Sequence, residues 1–305
     1  SSHFGRSDAP GRSRTETQSA HLVLSVGMTS AGVSTRSALA IFGVLVYGAP
    51  AANISQAACP GDFNVQGLGD VHLVPAGWGA KEEMLNARVR NGVLEPTMGS
   101  RSYFASKCSA GVYDRTQYQA LDLRGKTLRY TTDVSGAGCG CNAALYLASM
   151  RQNERVGECG DYYCDANNVC NSSCAEIDIQ EGNKFTWHST LHGATDGFGI
   201  GKGYGGGGRF WNGFRDWDGE DFGPGGRCID TARPFEVAVS FPLGANGSLA
   251  SMDIRLTQLG GGCPMNLSIG NYSHMAELDK ALAAGMTPIV SYWGSDDMQW
   301  MDGKG

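Results

Sequence analysis

Within residues 99–305 several short runs read as strands, and in the clearest of them polar and apolar positions alternate with a period of two, not with the 3.6 period of a helix. The alternation predicts strands over 127–134, 144–150, 185–191, 235–241, 252–259 and 289–293, with a turn at 135–138 joining the first two. A helical pattern is clear over 274–286. Residues 58–98 read as loops with one weak helical segment over 81–89, and 151–174 as a loop stapled by cysteines. Many short strands and few helices indicate an all-β sandwich, expected as one domain over 58–305.

The most informative alternation is Glu176-Ile177-Asp178-Ile179-Gln180-Glu181. Isoleucines at 177 and 179 place Glu176 and Asp178 on one face of a strand, with the isoleucines packed behind it. Strict pleating would send Glu181 to the opposite face. A β-bulge between Asp178 and Glu181 would add a residue and return Glu181 to the side of Glu176. Two glutamates flanking a cleft are the equipment for glycosidic-bond cleavage: at roughly 5–5.5 Å one attacks the anomeric carbon while the other protonates the leaving oxygen, whereas a wider gap accommodates a water and inverts the centre. The competing reading of the same six residues is an acidic, solvated strand edge. On the next predicted strand His188 and His192 have even spacing and face the same side as each other.

Composition narrows the setting. With 305 residues and 41% hydrophobic content the chain supports a substantial core, and 45 glycines imply many turns and close backbone approaches. A net charge of −6 disfavours a nucleic-acid partner. Apolar runs stay below the roughly 18 residues that span a bilayer, so no membrane partner is expected, and the domain is read as a monomer. Residues 1–27 carry no apolar periodicity and read as an upstream translated or disordered leader. From Met28, one basic residue (Arg36), an apolar run over 38–49 and small residues near Ala51 and Ala57 describe a secretory signal peptide over 28–57. The competing reading is a disordered leader before a short buried helix.

All ten cysteines (59, 108, 139, 141, 159, 164, 170, 174, 228, 263) lie beyond that segment, and an even count in a secreted chain implies disulfides of unassigned pairing. The 164/170/174 cluster could bind metal, but its spacing fits no common zinc pattern. Sequons at Asn53, Asn171, Asn246, Asn266 and Asn271 agree with a glycosylated surface. Gly201, Gly203 and Gly206 satisfy G-x-G-x-x-G without the strand-then-helix context that nucleotide binding needs. No metal or organic cofactor is implied.

Several segments, in order, resemble glycoside hydrolase family 7, the secreted cellobiohydrolases and endoglucanases acting on cellulose. Gly99-Ser100-Arg101-Ser102-Tyr103 is similar to its G-S-R-x-Y segment, and residues 141–150 to its N-G-A-L-Y-F-V-S-M strand. The acidic strand with Glu181-Gly182-Asn183 resembles E-M-D-I-W-E-A-N, and His192 falls eleven residues after Glu181, as the family's active-site histidine does. Trp211-Asn212-Gly213-Phe214-Arg215 resembles W-N-P-Y-R, Ile229-Asp230-Thr231 resembles L-D-T, and Ser291-Tyr292-Trp293 through Trp300-Met301-Asp302 resembles S-L-W-D-D to L-W-L-D.

The resemblance implies a β-jelly-roll sandwich of two antiparallel sheets with a concave face cradling a β-1,4-glucan chain. Glu176 would be the nucleophile of a retaining mechanism, Asp178 its hydrogen-bonded support, Glu181 the general acid/base, and His192 a residue positioning the cleft. Arg101, Asn142, Tyr146, Asn212 and Arg215 would line sugar subsites, with Trp293 and Trp300 as stacking platforms either side of the scissile bond. His188, without a counterpart, reads as a satisfied structural histidine.

The departures from the pattern matter. Gln180 stands where the family has tryptophan, and Gly182 where it has alanine. The segment between Cys164 and Glu176 is shorter than in tunnel-forming members, which argues for an open cleft and internal attack. Trp78 is only a loose match to an entrance-subsite tryptophan, and the family domain continues past Gly305, so an incomplete C-terminus is expected. The reading is a secreted endo-β-1,4-glucanase. The alternatives are a cellobiohydrolase, a β-1,3 or mixed-linkage glucanase of the laminarinase type, which shares E-x-D-x-x-E, and an inactive glucan-binding wall protein on the same sandwich.

Overall fold

The computed structural model describes residues 21–23, 29–30, 58–78, 87–138, 140–205, 215–295 and 298–303. Its strands in chain order are β1 (His21–Val23), β2 (Thr29–Ser30), β3 (Asp62–Val65), β4 (Gly69–Pro75), β5 (Arg88–Arg90), β6 (Val93–Glu95), β7 (Ser100–Ala105), β8 (Lys126–Asp133), β9 (Cys141–Ala148), β10 (Glu176–Asn183), β11 (Thr186–His192), β12 (Ile200–Tyr204), β13 (Phe222–Gly223), β14 (Ile229–Asp230), β15 (Phe235–Ser240), β16 (Ser251–Thr257), β17 (Met265–Gly270) and β18 (Thr287–Gly294). Two α-helices, α1 (Met275–Ala284) and α2 (Gln299–Asp302), and two single 3-10 turns, Arg115–Gln117 and Met150–Gln152, complete the described elements.

The expected sandwich is a β-jelly roll of two antiparallel sheets. One runs β17-β16-β15-β8-β1-β6-β5, with β2 also paired to β8; the other runs β12-β11-β10-β9-β18-β7-β4-β3. Between them lie Leu145, Leu147, Ile177, Ile179, Trp187, Val237, Val239, Ile254 and Leu256, all buried. Alternation explains the choice of residues: β16 and β17 bury every second side chain and expose the rest at least partly. By contrast β9 and β11 are buried on both faces, because the site-bearing sheet has the core on one side and a layer of loops on the other.

The expectation of loops over 58–98 is corrected. Residues 62–65 form the edge strand and 69–75 the strand next to it, whose Phe63, Val65, Val71 and Leu73 reach the core, and 88–90 is a strand, not the end of a helix. Asn91 and Gly92, with φ of 53° and 75°, make the tight turn of the β5–β6 hairpin. That Asn-Gly signal was available in the sequence. Of the predicted helix over 81–89, residues 81–86 lie outside the described residues, as does most of the predicted leader and signal segment. Two short pieces of that segment, β1 and β2, run antiparallel to β8.

Of the glycine-rich stretch, Ile200–Tyr204 forms β12, antiparallel to β11, and Gly206 lies outside the described residues. A Cβ on Gly203 (φ +146°) would fall 2.0 Å from the Trp187 carbonyl oxygen, so the glycines here serve close strand approach. Disulfides join Cys59–Cys108, Cys159–Cys170, Cys164–Cys174 and Cys228–Cys263. The 164/170/174 cluster is therefore a pair of staples and not a metal site. Cys139 lies outside the described residues, and the Cys141 thiol approaches the Gly138 carbonyl and the Tyr292 hydroxyl.

Candidate active site

The floor of the site is the outer face of β9, β10 and β11. Glu176 lies opposite Ala148 and His192, and Asp178 opposite Tyr146 and Thr190. The register then shifts: Gln180 faces Leu145, and Glu181 faces Ala144 and His188. This is the predicted bulge. Ile179 and Gln180 together occupy one core-facing step, so Glu181 returns to the face of Glu176 and Asp178. Alanines at 144 and 148 keep the neighbouring strand low beneath the carboxylates.

Each acidic group has a defined partner. Glu176 Oε2 accepts the Ala166 N–H at 2.9 Å, and Glu181 Oε1 accepts from Asn142 Nδ2 at 2.8 Å. Asp178 Oδ2 sits 3.0 Å from His192 Nε2. His192 Nδ1 lies 2.9 Å from the Asp196 carbonyl oxygen. A carbonyl only accepts, so Nδ1 carries a proton, and the Nε2–Asp178 contact then requires one more proton shared between imidazole and carboxyl. Asp196 is in turn fixed by the Tyr272 hydroxyl at 2.6 Å.

Burial dominates the electrostatics. It pushes the Glu176 carboxyl well above the ordinary range, with the charges of Asp178 and Asp165 adding to it, while the Ala166 N–H and His192 oppose the shift. Asp178 is raised by burial and then by Asp165. Glu181 is raised by burial and then by Asp178, against His192 and Asn142. His188, the expected structural histidine, has Nε2 3.0 Å from the Met301 carbonyl, and burial lowers its pKa to about 4.

The other predicted residues divide. Asn142 joins the site. Tyr146 and Arg101 lie on the same face but are covered by the segment 151–174: the Arg101 guanidinium is 3.6 Å from the centre of the Tyr163 ring, and the Tyr146 and Tyr163 hydroxyls meet at 3.0 Å. Arg101 Nε also donates to the Tyr103 hydroxyl, which donates to Asp161 at 2.6 Å. A short loop was expected to leave this side open, yet two disulfides fold it directly onto the sheet. Arg215 is exposed and bridges Tyr204 at the sheet edge, and Asn212 lies outside the described residues.

Trp293 and Trp300 do not flank the carboxylates. Their ring centroids are 6.2 Å apart, Trp293 is paired with Asn142, and Trp300 approaches His188, so both stand at the Glu181 end. The reason is α2, which folds Trp300 back: the Met301 carbonyl accepts from Thr186 Oγ1, and the Asp302 carboxylate from Gly140 N and Asn183 Nδ2. Sequence reading missed Tyr163, Asp165, the Ala166 N–H and Asp196. The aromatic-acidic run Asp161-Tyr162-Tyr163-Cys164-Asp165 was the available signal.

Glycosyl hydrolase family 7 matches residues 57–172. Endoglucanase 1 of Pyricularia oryzae is 27% identical over 248 residues, covering 61% of this chain and 57% of that protein. Endo-beta-1,4-glucanase celB of Emericella nidulans is 26% identical over 290 residues, covering 74% of this chain and 66% of the relative. The match to the family and the two relatives point the same way: this chain is similar to the endoglucanases of glycosyl hydrolase family 7. It spans less than two thirds of the length of both curated relatives. In fold, this chain is similar to a GH7 family cellobiohydrolase from Daphnia pulex, with a TM-score of 0.51 at 19% identity over 77% of this chain and 68% of the other. It is equally similar to endoglucanase I complexed with cellobiose, with a TM-score of 0.51 at 18% identity, covering 78% and 69%.

Proposed function

We propose that this chain is a secreted endo-β-1,4-glucanase that cleaves internal bonds of β-glucan with retention, by double displacement between Glu176 and Glu181. The observation that carries the reading is the β10 bulge, which puts both glutamates and Asp178 on one face above a floor of alanines. Glu176, supported by the Ala166 N–H, attacks the anomeric carbon as its carboxylate. Burial raises both glutamates, and the Ala166 N–H favours the charge on Glu176; with the pair's proton on Glu181, that carboxyl gives it to the departing glycosidic oxygen, leaving a glycosyl ester on Glu176. Glu181, now ionised, takes a proton from water, which attacks the same carbon and frees Glu176. Asp178 and His192, sharing a proton beside Glu176, adjust the charge of the cluster between the two steps. The four disulfides accord with an oxidising, extracellular setting, and residues 28–57 would then be the signal peptide of a 58–305 domain.

The cover that 151–174 places over Arg101 and Tyr146 favours a second reading, release of short products from a chain end at a partly closed cleft. The test is product analysis on soluble β-1,4-glucan and β-1,3-glucan in parallel, with the product anomer read by ¹H NMR. Mixed-length β-anomeric oligosaccharides from β-1,4-glucan alone are expected. A single short product supports chain-end release, while α-anomers, or products only from β-1,3-glucan, overturn the proposal. Glu176→Gln is expected to abolish turnover and keep glucan binding, and Glu181→Gln to retain activity on aryl glycosides with good leaving groups.

A further inference from the structure

The residue that turns Glu181 toward the site is not itself in the site. Gln180 is 1% exposed and points into the core from the bulge. Its amide is used at both ends: Nε2 donates to the Ala143 carbonyl at 3.0 Å, and Oε1 accepts from the Tyr130 hydroxyl of the opposite sheet at 3.2 Å. Ser189 Oγ donates to the Ile179 carbonyl at 2.8 Å and accepts from Trp187 Nε1 at 2.9 Å. On the far side of Glu181, the Gly182 N–H donates to Asn142 Oδ1 at 3.0 Å, while the same Asn142 holds Glu181 through Nδ2. Side chains thus serve the backbone at each position where the bulge shifts the strand register, and one of them reaches across the sandwich.

We propose that Gln180, with Ser189 as its partner on β11, is a positioning residue that locks the bulge and so aims the Glu181 carboxyl at the leaving oxygen. The physical reason is that an extra residue disturbs the local ladder, and a buried backbone carbonyl without a donor there would favour a flatter strand. A flat strand would swing Glu181 toward the core side. A leucine at 180 would fill similar volume but offer the Ala143 carbonyl and the Tyr130 hydroxyl nothing.

The inference rests on the acid/base role proposed for Glu181, and the test separates the two. Parent, Gln180→Leu, Ser189→Ala and Tyr130→Phe are compared by kcat/KM on an unactivated β-1,4-gluco-oligosaccharide and on an aryl β-cellobioside whose phenol leaves without protonation. Gln180→Leu is expected to lose about 100-fold on the first and less than about threefold on the second, because only the first needs a placed general acid. Tyr130→Phe, which removes only the bond across the sandwich, is expected to lower Tm while leaving the ratio of the two substrates unchanged. Equal losses on both substrates, or no loss on either, overturn the proposal. If Gln180→Leu does not fold, Ser189→Ala is read by the same ratio and the same criteria. If the parent cleaves neither substrate, the proposed function fails, and positioning is read by ¹³C NMR titration of the Glu181 carboxyl. Its midpoint is expected to rise in the Gln180 or Ser189 variant, because a carboxyl turned toward the core loses the Asn142 donor and is buried more deeply, and an unchanged midpoint overturns the inference.

Discussion

Replacing Glu181 by glutamine is expected to stabilise the fold by an amount that grows with pH. The amide keeps an oxygen for Asn142 Nδ2 to donate to, so the hydrogen bond survives and only the ionisable group is lost. In the folded protein burial and the Asp178 charge hold the Glu181 carboxyl at about 8, against 4.5 for the free group. Below the unfolded value both states are protonated and the substitution changes little. Between these values the native state binds more protons than the unfolded one, so the parent loses stability as pH rises, until the folded carboxyl has itself titrated. At about 1.4 kcal/mol per pH unit the shift sets a ceiling of roughly 4–5 kcal/mol, and partial access of solvent to the side chain brings the expected gain at pH 8 to about 2 kcal/mol. Urea unfolding of parent and Glu181→Gln at pH 4, 6 and 8 measures it. A difference independent of pH, or a variant less stable than the parent at pH 8, would refute the electrostatic argument.

Other substitutions probe the neighbours of the same carboxylates. Asn142→Ala removes a donor that favours ionised Glu181, so the basic limb of the kcat/KM profile is expected to move to higher pH; it also leaves the buried Gly182 N–H unpaired, costing about 1–3 kcal/mol in thermal or urea unfolding. Gly182→Ala would place a Cβ 2.7 Å from the Thr186 carbonyl oxygen and is expected to cost about 1–3 kcal/mol by the same measurement, although the position is not one of left-handed backbone. Replacing Cys164 and Cys174 by serine removes one of two staples that press Tyr163 onto Arg101. The expected result is a loss of about 2–3 kcal/mol and a broader distribution of product lengths, read by chromatography of digests.

The residues themselves determined a good deal about this protein. Period-two alternation marked β15 and β16, where one buried face leaves its pattern in the local sequence, and β10, where the acidic face alternates with isoleucines. Isoleucines at 177 and 179 set the face of Glu176 and Asp178 and made a bulge the condition for Glu181 to join them, a condition that the register shift after Asp178 meets. What local pattern could not carry was anything set by residues distant in the chain. Strands β3 and β4 are short and separated by a glycine-containing turn, and it is the pairing of β4 with β7, and of β3 with β4, that makes them strands. Gln180 looked like a departure beside the site, and only the opposite sheet, bringing Tyr130 to its amide, gives it a structural task. A shortened loop read as an open cleft, but its length says nothing of where two disulfides fold it, and here they cover a half-buried Arg101 and a buried Tyr146. The placing of Trp300 beside Trp293 likewise depends on α2 being tied to β9, β10 and β11, and those contacts span more than a hundred residues of chain. Burial, and with it the raised carboxyl pKa values on which the proposed chemistry depends, is a property of that assembled environment, so tertiary structure alone decides it.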